Sequence, residues 1–261
     1  TKLTPSVDPA LLARIAAFIA DHASKKLGPA PTKQAYSHSI IPLPDDHLAN
    51  PVLWSNFQQE PRPHFQALQA ELDDHLERTI DHALDSVPKP LSSAPRILSI
   101  GVGPAALDEY YAFLKYVSNR QNTLLGEYVG IDCNDQYLQT SRRFLSHNED
   151  VRLITGDARN LDDFVDGTFD VVMLRHPEPE THKDGGSEIY GQIFKKVKER
   201  MGPNSRMVLT SFWEDGYNVL MSLLDQAGYA FHLYGENPHK GKEFPGHPDV
   251  NFDKYLIVVT K

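Results

Sequence analysis

The amino-acid sequence predicts an α/β fold: a parallel sheet with helices on both faces, preceded by a mostly helical N-terminal lobe. From about residue 96 onward, short apolar runs typical of strands alternate with longer segments of helical periodicity. Strands that are separated by helices form parallel sheets with the helices on both faces. Before residue 93, apolar residues recur at helical spacing. We therefore predict two domains, residues 1–93 and residues 94–261.

The predicted N-terminal lobe contains two amphipathic helices. The first apolar stripe consists of Leu11, Leu12, Ile15, Phe18 and Ile19. The second extends over five turns and consists of Phe65, Leu68, Leu72, Leu76, Ile80 and Leu84. Because an apolar stripe needs a partner surface, we expect this lobe to act as a lid over a pocket or as a dimerisation arm. The stretch "VPKPLSSAP", residues 87–95, has the composition of a linker.

Seven strands and four helices are predicted after the linker. The strands are "RILSIG", "EYVGID", "VRLITGD", "FDVVMLR", "SRMVLTSF", "YAFHLYG" and "KYLIVVTK". The helices are expected over residues 104–120, 135–147, 187–201 and 216–227. Because only a loop separates the last two strands, we expect them to form an antiparallel pair at one edge of the sheet.

Composition narrows the class of protein. Apolar residues make up 40% of the 261 residues and charged residues 23%, values typical of a globular protein without a membrane span. Cys133 is the only cysteine, so a disulfide within the chain and a thiolate zinc site are excluded, and we expect no metal. No signal-peptide pattern is present, which favours a cytoplasmic location. The formal net charge of −9 disfavours nucleic acid as a partner.

A glycine turn follows the first predicted strand in "RILSIGVGPAALDEYY", residues 96–111. Gly101 and Gly103 let the backbone approach a ligand, and the N-terminus of the next helix offers N–H groups. In open parallel sheets, ligands bind at this end of the strands. By itself, such a turn is compatible with a dinucleotide, with S-adenosylmethionine or with no ligand.

Two carboxylates follow the next two strands. Asp132 ends the second strand and could accept hydrogen bonds from both hydroxyls of a ribose, or could cap the following helix. Asp157 ends the third strand and could accept a hydrogen bond from an adenine amino group, or could be a turn residue after Gly156. A purely structural role stays open for both residues.

The ordered set "ILSIGVGPA", "YVGIDCND", "LITGDARNL", "FDVVMLRHP" and "RMVLTSF" resembles the class I S-adenosylmethionine-dependent methyltransferases. The resemblance covers residues 96–261 and implies a Rossmann-like sheet of seven strands, with S-adenosylmethionine as the cofactor and S-adenosylhomocysteine as the product. It implies that Gly101 and Gly103 line the methionine portion, that Asp132 holds the ribose and that Asp157 contacts the adenine. The implied cofactor-binding set is Gly101, Val102, Gly103, Asp132, Cys133, Asp157, Ala158 and Arg175.

One position departs from the family pattern. The family usually has an acidic residue two places before the first glycine, which helps to orient the methionine amino group, and this chain has Ser99 there. A nicotinamide dehydrogenase is the competing interpretation of "GVGPAA". Its fingerprint places an acidic residue about 20 residues after the turn, whereas Asp132 lies further along the chain.

The segment "RHPEPETHKDGGSEIY", residues 175–190, contains the predicted catalytic residue. His176 follows the fourth strand and could act as a general base, because the pKa of histidine lies near neutrality. Candidate substrate contacts are Tyr36, His38, Glu178 and Trp213. Each has a structural alternative: a packed connector for Tyr36 and His38, a solvated carboxylate for Glu178, and core packing for Trp213.

These residues predict a methyltransferase that acts on an O or N atom of a small molecule, with a homodimer as an open possibility. The alternatives are a methyltransferase for tRNA or another nucleic acid, a protein that transfers the aminocarboxypropyl arm, and a cofactor-binding protein without transfer activity. The methyl acceptor is not identified by the sequence.

Overall fold

The computed structural model describes residues 62–145, 148–177, 179, 185–241, 243–244 and 247–261. The first predicted helix and the candidate residues Tyr36, His38 and Glu178 lie outside this part of the chain. Their predicted roles therefore stay predictions.

Five helices and nine strands are described. The helices are α1 (Arg62–Asp85), α2 (Ala106–Gln121), α3 (Asp135–Leu145), α4 (Gly186–Glu199) and α5 (Glu214–Gln226). The strands are β1 (Arg96–Ile100), β2 (Glu127–Asp132), β3 (Val151–Thr155), β4 (Phe169–Arg175), β5 (Met201–Ser211), β6 (Ala230–Glu236), β7 (Glu243–Phe244), β8 (His247–Asn251) and β9 (Tyr255–Thr260). Each strand and helix predicted after residue 93 is present, with ends shifted by a few residues.

The main sheet has seven strands in the order β3-β2-β1-β4-β5-β9-β6. Strands β1 to β5 are parallel, and β9 is antiparallel to both of its neighbours. The order reverses beside β1, since β2 and β3 lie on one side of it and β4 on the other. An open sheet of this type binds ligands beside the carboxyl ends of its strands at such a reversal.

The chain end contains the predicted antiparallel edge pair. Strand β6 is at the edge of the sheet, and β9 lies between β5 and β6. The connection between β6 and β9 also contains the hairpin β7–β8, which the sequence did not predict. Neither strand of this hairpin has the apolar run or strict alternation from which strands are recognised in a sequence.

Hydrophobic cores cover both faces of the sheet, as predicted. On one face, Leu76, Ile80 and Leu84 of α1 pack with Phe113 and Val117 of α2. On the other face, side chains of α4 and α5 pack against the apolar strand residues: Phe194, Val197, Leu220 and Leu224. The described part of the stripe predicted on α1, Leu76 to Leu84, therefore finds its partner surface on α2 and the sheet, within the same core as residues after position 93.

Arg206 of β5 attaches the end of α1 to the sheet. Its side chain is buried, and its two Nη atoms donate hydrogen bonds to the carbonyl oxygens of Leu84 and Lys89, each at 2.5 Å. The last carbonyls of a helix lack partners within the helix, so this guanidinium satisfies groups that burial would otherwise leave unpaired.

Among the described helices, none is long and apolar enough to cross a membrane.

Candidate functional site

The glycine turn after β1 lies at the reversal of strand order. Gly101 has φ +63° and Gly103 has φ +55°, left-handed conformations that glycine adopts without steric cost. A Cβ atom on Gly101 would meet no atom within 4 Å, so the space beside this residue is open. Glycine is favoured at this position because of the left-handed backbone conformation. An added Cβ atom would not clash with a neighbouring atom.

The backbone N–H groups of this turn already have acceptors inside the protein. Those of Gly101 and Val102 donate to the carbonyl oxygen of Ile131, at 2.8 and 3.3 Å. That of Gly103 donates to the Asp132 carboxylate at 2.8 Å. These three N–H groups are therefore not free to bind a ligand, because β2 and its terminal carboxylate lie close enough to accept from them. Instead, the turn offers to a ligand the open space beside Gly101.

Asp132 has a structural role, but not as the cap of α3, because there Asn134 Oδ1 accepts from Gln136 N–H at 3.0 Å. One carboxyl oxygen accepts from Gly103 N–H, and the other accepts from Asn134 N–H at 2.8 Å, just before α3. The residue is 6% exposed; burial raises the pKa of its carboxyl group, while the two backbone N–H groups oppose that rise. Because each carboxylate oxygen can accept more than one hydrogen bond, this role is compatible with binding a ribose.

Replacement of Asp132 by alanine is expected to weaken S-adenosylhomocysteine binding by about 1.5–3 kcal/mol, roughly ten- to hundredfold in Kd. The reason is the loss of charge-assisted hydrogen bonds to the ribose. Isothermal titration calorimetry measures the change, with Asp135→Ala as the matched control, since Asp135 is bound to Arg142 and Thr155. An unchanged Kd in Asp132→Ala, with a native circular dichroism spectrum, would show that the ribose is held elsewhere.

The other residues predicted near the adenine are arranged at the ends of β2 and β3. Cys133 is exposed, and Ala158 is buried. Asp157 caps the short 3₁₀-helix that follows β3, because its side chain accepts from Arg159 N–H, and it also pairs with the Arg159 guanidinium at 2.5 Å. This hydrogen bonding lowers the pKa of Asp157, so its carboxylate is ionised at neutral pH.

The end of β4 contains a buried cluster of charged groups around Asp253. The Asp253 side chain is fully buried, and one of its oxygens lies 2.9 Å from His176 Nε2. The other lies 2.7 Å from His75 Nε2 and 3.1 Å from Arg175 Nη2. Burial opposes ionisation of Asp253, but the Arg175 charge and the two imidazoles outweigh it and hold the pKa of this carboxyl well below its usual range.

His176 is held rigidly in this cluster. It has φ +50°, and its ring stacks on Phe212 with the ring centroids 3.6 Å apart. Burial lowers the pKa of the imidazole to about 4, although Asp253 opposes the shift. His176 is therefore neutral at physiological pH. Its Nδ1 atom is buried and makes no hydrogen bond to any described residue.

A second buried carboxylate lies beside Ser99, the position where the resemblance implies an acid. Ser99 Oγ donates a 2.5 Å hydrogen bond to Glu109 Oε2, so α2 brings a carboxylate to the β1 position that lacks one. Arg175 Nη1 lies 3.9 Å from Glu109 Oε1, which makes no hydrogen bond within the described residues. Burial raises the pKa of Glu109 to about 7, while Arg175 and the hydrogen bonds from Ser99 and Tyr128 oppose this rise.

Trp213 lies at the N-terminus of α5 and is partly buried. Its ring centroid is 6.2 Å from that of Phe212, which in turn stacks on His176. Trp213 is thus separated from the His176 ring by one aromatic layer. No group of histidine, cysteine and carboxylate side chains that could hold a metal ion is found among the described residues.

The sequence analysis missed three members of this site: His75, Glu109 and Asp253. His75 and Asp253 are 178 positions apart, and neither belongs to a motif that follows a strand of the parallel sheet. Glu109 did have a signal, because it is an acidic residue on the apolar face of a helix that directly follows a glycine turn. The missing acid at Ser99 could have directed attention to it.

A mostly parallel open sheet, with a glycine turn and carboxylates at its order reversal, is the arrangement of doubly wound α/β proteins, which bind ligands at this position. Residues 98–177 match the family model described as a methyltransferase domain. Residues 98–177 thus correspond to a methyltransferase domain, and the predicted enzyme class, an S-adenosylmethionine-dependent methyltransferase, and its cofactor are confirmed. No curated protein matches the chain significantly.

Similar solved structures include an S-adenosylmethionine-dependent methyltransferase from Clostridium acetobutylicum, with 10% identity and a TM-score of 0.49 over 73% of this chain and 91% of that chain. A putative methyltransferase from Streptococcus mutans in complex with S-adenosylhomocysteine has 13% identity and a TM-score of 0.48 over 69% and 96%. An rRNA methylase from Streptococcus thermophilus has 15% identity and a TM-score of 0.46 over 77% and 97%. At these values, nothing follows about the acceptor of this chain.

Proposed function

We propose that this methyltransferase acts on an O or N atom of a small molecule. The net charge of −9 disfavours a polyanionic acceptor. The basic side chains at the end of α4 also have partners within the protein. Lys196 and Arg200 pair with Asp162, and Lys198 donates to the carbonyl oxygens of Ala227 and Gly228. Asp162 therefore compensates part of the positive charge that this face could offer to a phosphate backbone.

The cofactor residues proposed are those of the sequence analysis, Gly101, Val102, Gly103, Asp132, Cys133, Asp157, Ala158 and Arg175, and Glu109 in addition. When bound, S-adenosylmethionine supplies an activated methyl group on a sulfonium. The open space at Gly101 and the remaining acceptor capacity of Asp132 fit such a ligand. The unsatisfied Oε1 atom of Glu109 fits the ammonium group of its methionine portion. Val102 is buried against Ala106 and supports the turn.

His176 is proposed as the residue that accepts the acceptor's proton, and it is the single observation that carries the choice of an O or N acceptor. A neutral imidazole with an unbonded ring nitrogen can take a proton from a hydroxyl or an amine. Methyl transfer otherwise requires mainly alignment of the acceptor with the methyl group. A buried base at the end of β4 fits a reaction in which a proton must leave.

S-adenosylhomocysteine is expected to stabilise the purified protein against thermal unfolding. At 100 times its Kd, linkage predicts about 2.7 kcal/mol, because the ligand binds the folded state alone. For a chain of this size, that corresponds to a rise in Tm of about 5–10 °C. Calorimetry and a thermal melt measure it, with adenosine as the control ligand. No heat and no shift at saturating concentration would remove the proposed function.

The acceptor class is tested with S-adenosylmethionine labelled in its methyl group. The labelled cofactor is incubated with the protein and either a small-molecule extract or total RNA, and the label is followed into each fraction. Label in small molecules, with S-adenosylhomocysteine as the nucleoside product, supports the proposal. Label in RNA would overturn the choice of acceptor, and methylthioadenosine as the product would indicate transfer of the aminocarboxypropyl arm.

A further inference from the structure

Asp253 is fixed in place by the backbone around it. The residue has φ +49° in the turn between β8 and β9, a conformation that is uncommon outside glycine. The buried Asn237 side chain donates to the Asp253 carbonyl oxygen at 2.9 Å and to Thr79 Oγ1 at 2.9 Å. Asn237 N–H also donates to the carbonyl oxygen of Lys254 at 2.8 Å. The carboxylate of Asp253 is thus presented from a turn that has little freedom to move.

The charge of Asp253 is balanced by Arg175, without a charge on His176. Arg175 is buried and cationic, and the ionised Asp253 is its hydrogen-bonded partner. The burial of Arg175 disfavours its charge, but Asp253 and Glu109 outweigh this and raise the pKa of Arg175. Since the low pKa of His176 makes that ring neutral, only one of its two nitrogens carries a proton.

The contacts of Nε2 indicate which of the two ring nitrogens of His176 carries the proton. Nε2 lies 2.9 Å from Asp253 Oδ1, and the Asp253 backbone N–H is directed at Nε2 from 3.3 Å. The charge-assisted contact with the carboxylate is the shorter and the stronger of the two. An unprotonated Nε2 would place its lone pair against an ionised carboxylate oxygen at the shorter distance, where two lone pairs repel. The proton therefore lies on Nε2, and Nδ1 carries the lone pair.

We propose that Asp253 is the positioning residue of methyl transfer, because it fixes His176 as the Nε2–H tautomer and leaves Nδ1 to accept the proton. This inference rests on the proposed function of His176. In the transfer, the acceptor's lone pair forms the bond to the methyl carbon, and the carbon–sulfur bond breaks with its electron pair on sulfur. The acceptor's proton moves to Nδ1, and the imidazolium that results is stabilised by the Asp253 carboxylate.

Asp253→Asn is the variant that tests this role. The amide oxygen of the new side chain is expected to take the place of Oδ2, which accepts from Arg175 Nη2 and contacts His75 Nε2. The amide NH₂ group then faces His176 Nε2, which has to become an acceptor. The ring is therefore expected to change to the Nδ1–H tautomer.

His75→Gln is the matched control, because His75 contacts the same carboxylate through its other oxygen, 2.7 Å away. It alters the surroundings of Asp253 and leaves the contact between Asp253 and His176 in place. The tautomer of His176 is expected to be unchanged in this variant.

The measurement is long-range ¹H–¹⁵N NMR of the histidine rings of the full chain at pH 6–8, with the His176 signals assigned from a His176→Gln variant. The expected result is the Nε2–H tautomer in the wild type and in His75→Gln, and loss of that tautomer in Asp253→Asn. An imidazolium or an Nδ1–H tautomer in the wild type would overturn the proposal. Retention of Nε2–H in Asp253→Asn, or its loss in His75→Gln, would also overturn it.

Circular dichroism and S-adenosylhomocysteine binding establish that each variant is folded. If Asp253→Asn does not fold, the wild type and His75→Gln decide the question by the same criteria. The NMR measurement needs no acceptor, so it separates the two hypotheses. If the wild type has the expected tautomer but yields no labelled small-molecule product, only the proposed function is refuted. If the wild type has the other tautomer but transfers the methyl group, only the role of Asp253 is refuted.

Discussion

Replacement of Arg175 by methionine is expected to destabilise the protein by about 3–5 kcal/mol at pH 7–8, the typical cost of removing one partner from a buried ion pair. The Arg175 side chain is 7% exposed, and that of Asp253 is 0% exposed. Without the guanidinium, Asp253 stays buried with two imidazoles as its main partners, and Glu109 loses its nearest cation. Urea unfolding followed by circular dichroism measures the loss.

Arg159→Met is the matched control for this experiment. Arg159 and Asp157 also form a close arginine–aspartate pair, but their side chains are 44% and 36% exposed. An exposed pair contributes about 0–1 kcal/mol, because solvent screens both charges. Equal losses in the two variants would show that burial does not set the strength of the Arg175 pair.

Replacement of Glu109 by glutamine is expected to stabilise the ligand-free protein at pH 8, by up to about 3 kcal/mol, and to have little effect near pH 4. Burial raises the pKa of Glu109 from 4.5 to about 7. Between these values, the folded state holds a proton that the unfolded state has released, so stability falls as the pH rises. Glutamine is neutral throughout and does not incur this loss, which is about 1.4 kcal/mol per pKa unit.

His176 has the opposite pH dependence. Its pKa is lowered from 6.5 to about 4, so between these values the unfolded state binds the additional proton and stability rises with pH. In the wild type, the contributions of Glu109 and His176 offset each other over most of this range. Thermal melts of Glu109→Gln from pH 4 to pH 8 should therefore reveal the rise that is due to His176. Parallel curves for the wild type and the variant would contradict the assigned Glu109 pKa.

The same variant bears on the cofactor site. If the ionised Glu109 holds the ammonium group of the bound methionine, Glu109→Gln gains stability without ligand and loses affinity for S-adenosylhomocysteine. A gain in stability with unchanged affinity would mean that Glu109 has only a structural role beside Ser99. The two readouts therefore separate the pKa of Glu109 from its proposed role in binding.

The strands and helices after residue 93 were predictable because each carries its signal locally. The central parts of β1, β2 and β4 are mainly apolar, as expected of strands buried on both faces, and the first turn contains glycine. The hairpin β7–β8 and the place of β9 were not predictable. Short strands without alternation have no local signal, and strand order depends on which edge of the sheet is open when the chain returns.

The residues of the candidate site also include some that the sequence could predict and some that it could not. Asp132 and Asp157 could be found because each follows a strand, and the carboxyl ends of parallel strands meet at one edge. The sequence could not show that Asp132 holds the turn through Gly103 and Asn134, since that depends on distances of a few tenths of an ångström.

By itself, the sequence determined the α/β class, the seven strands, the glycine turn and His176 as a candidate base, because periodicity and strand-end position are properties of short segments. Only the tertiary structure decided that His176 faces Asp253, 77 residues away, and that Glu109 lies beside Ser99. It also decided the low pKa of His176 and the high pKa of Glu109. A pKa depends on desolvation and on neighbouring charges, and both exist only after distant segments have packed around the group.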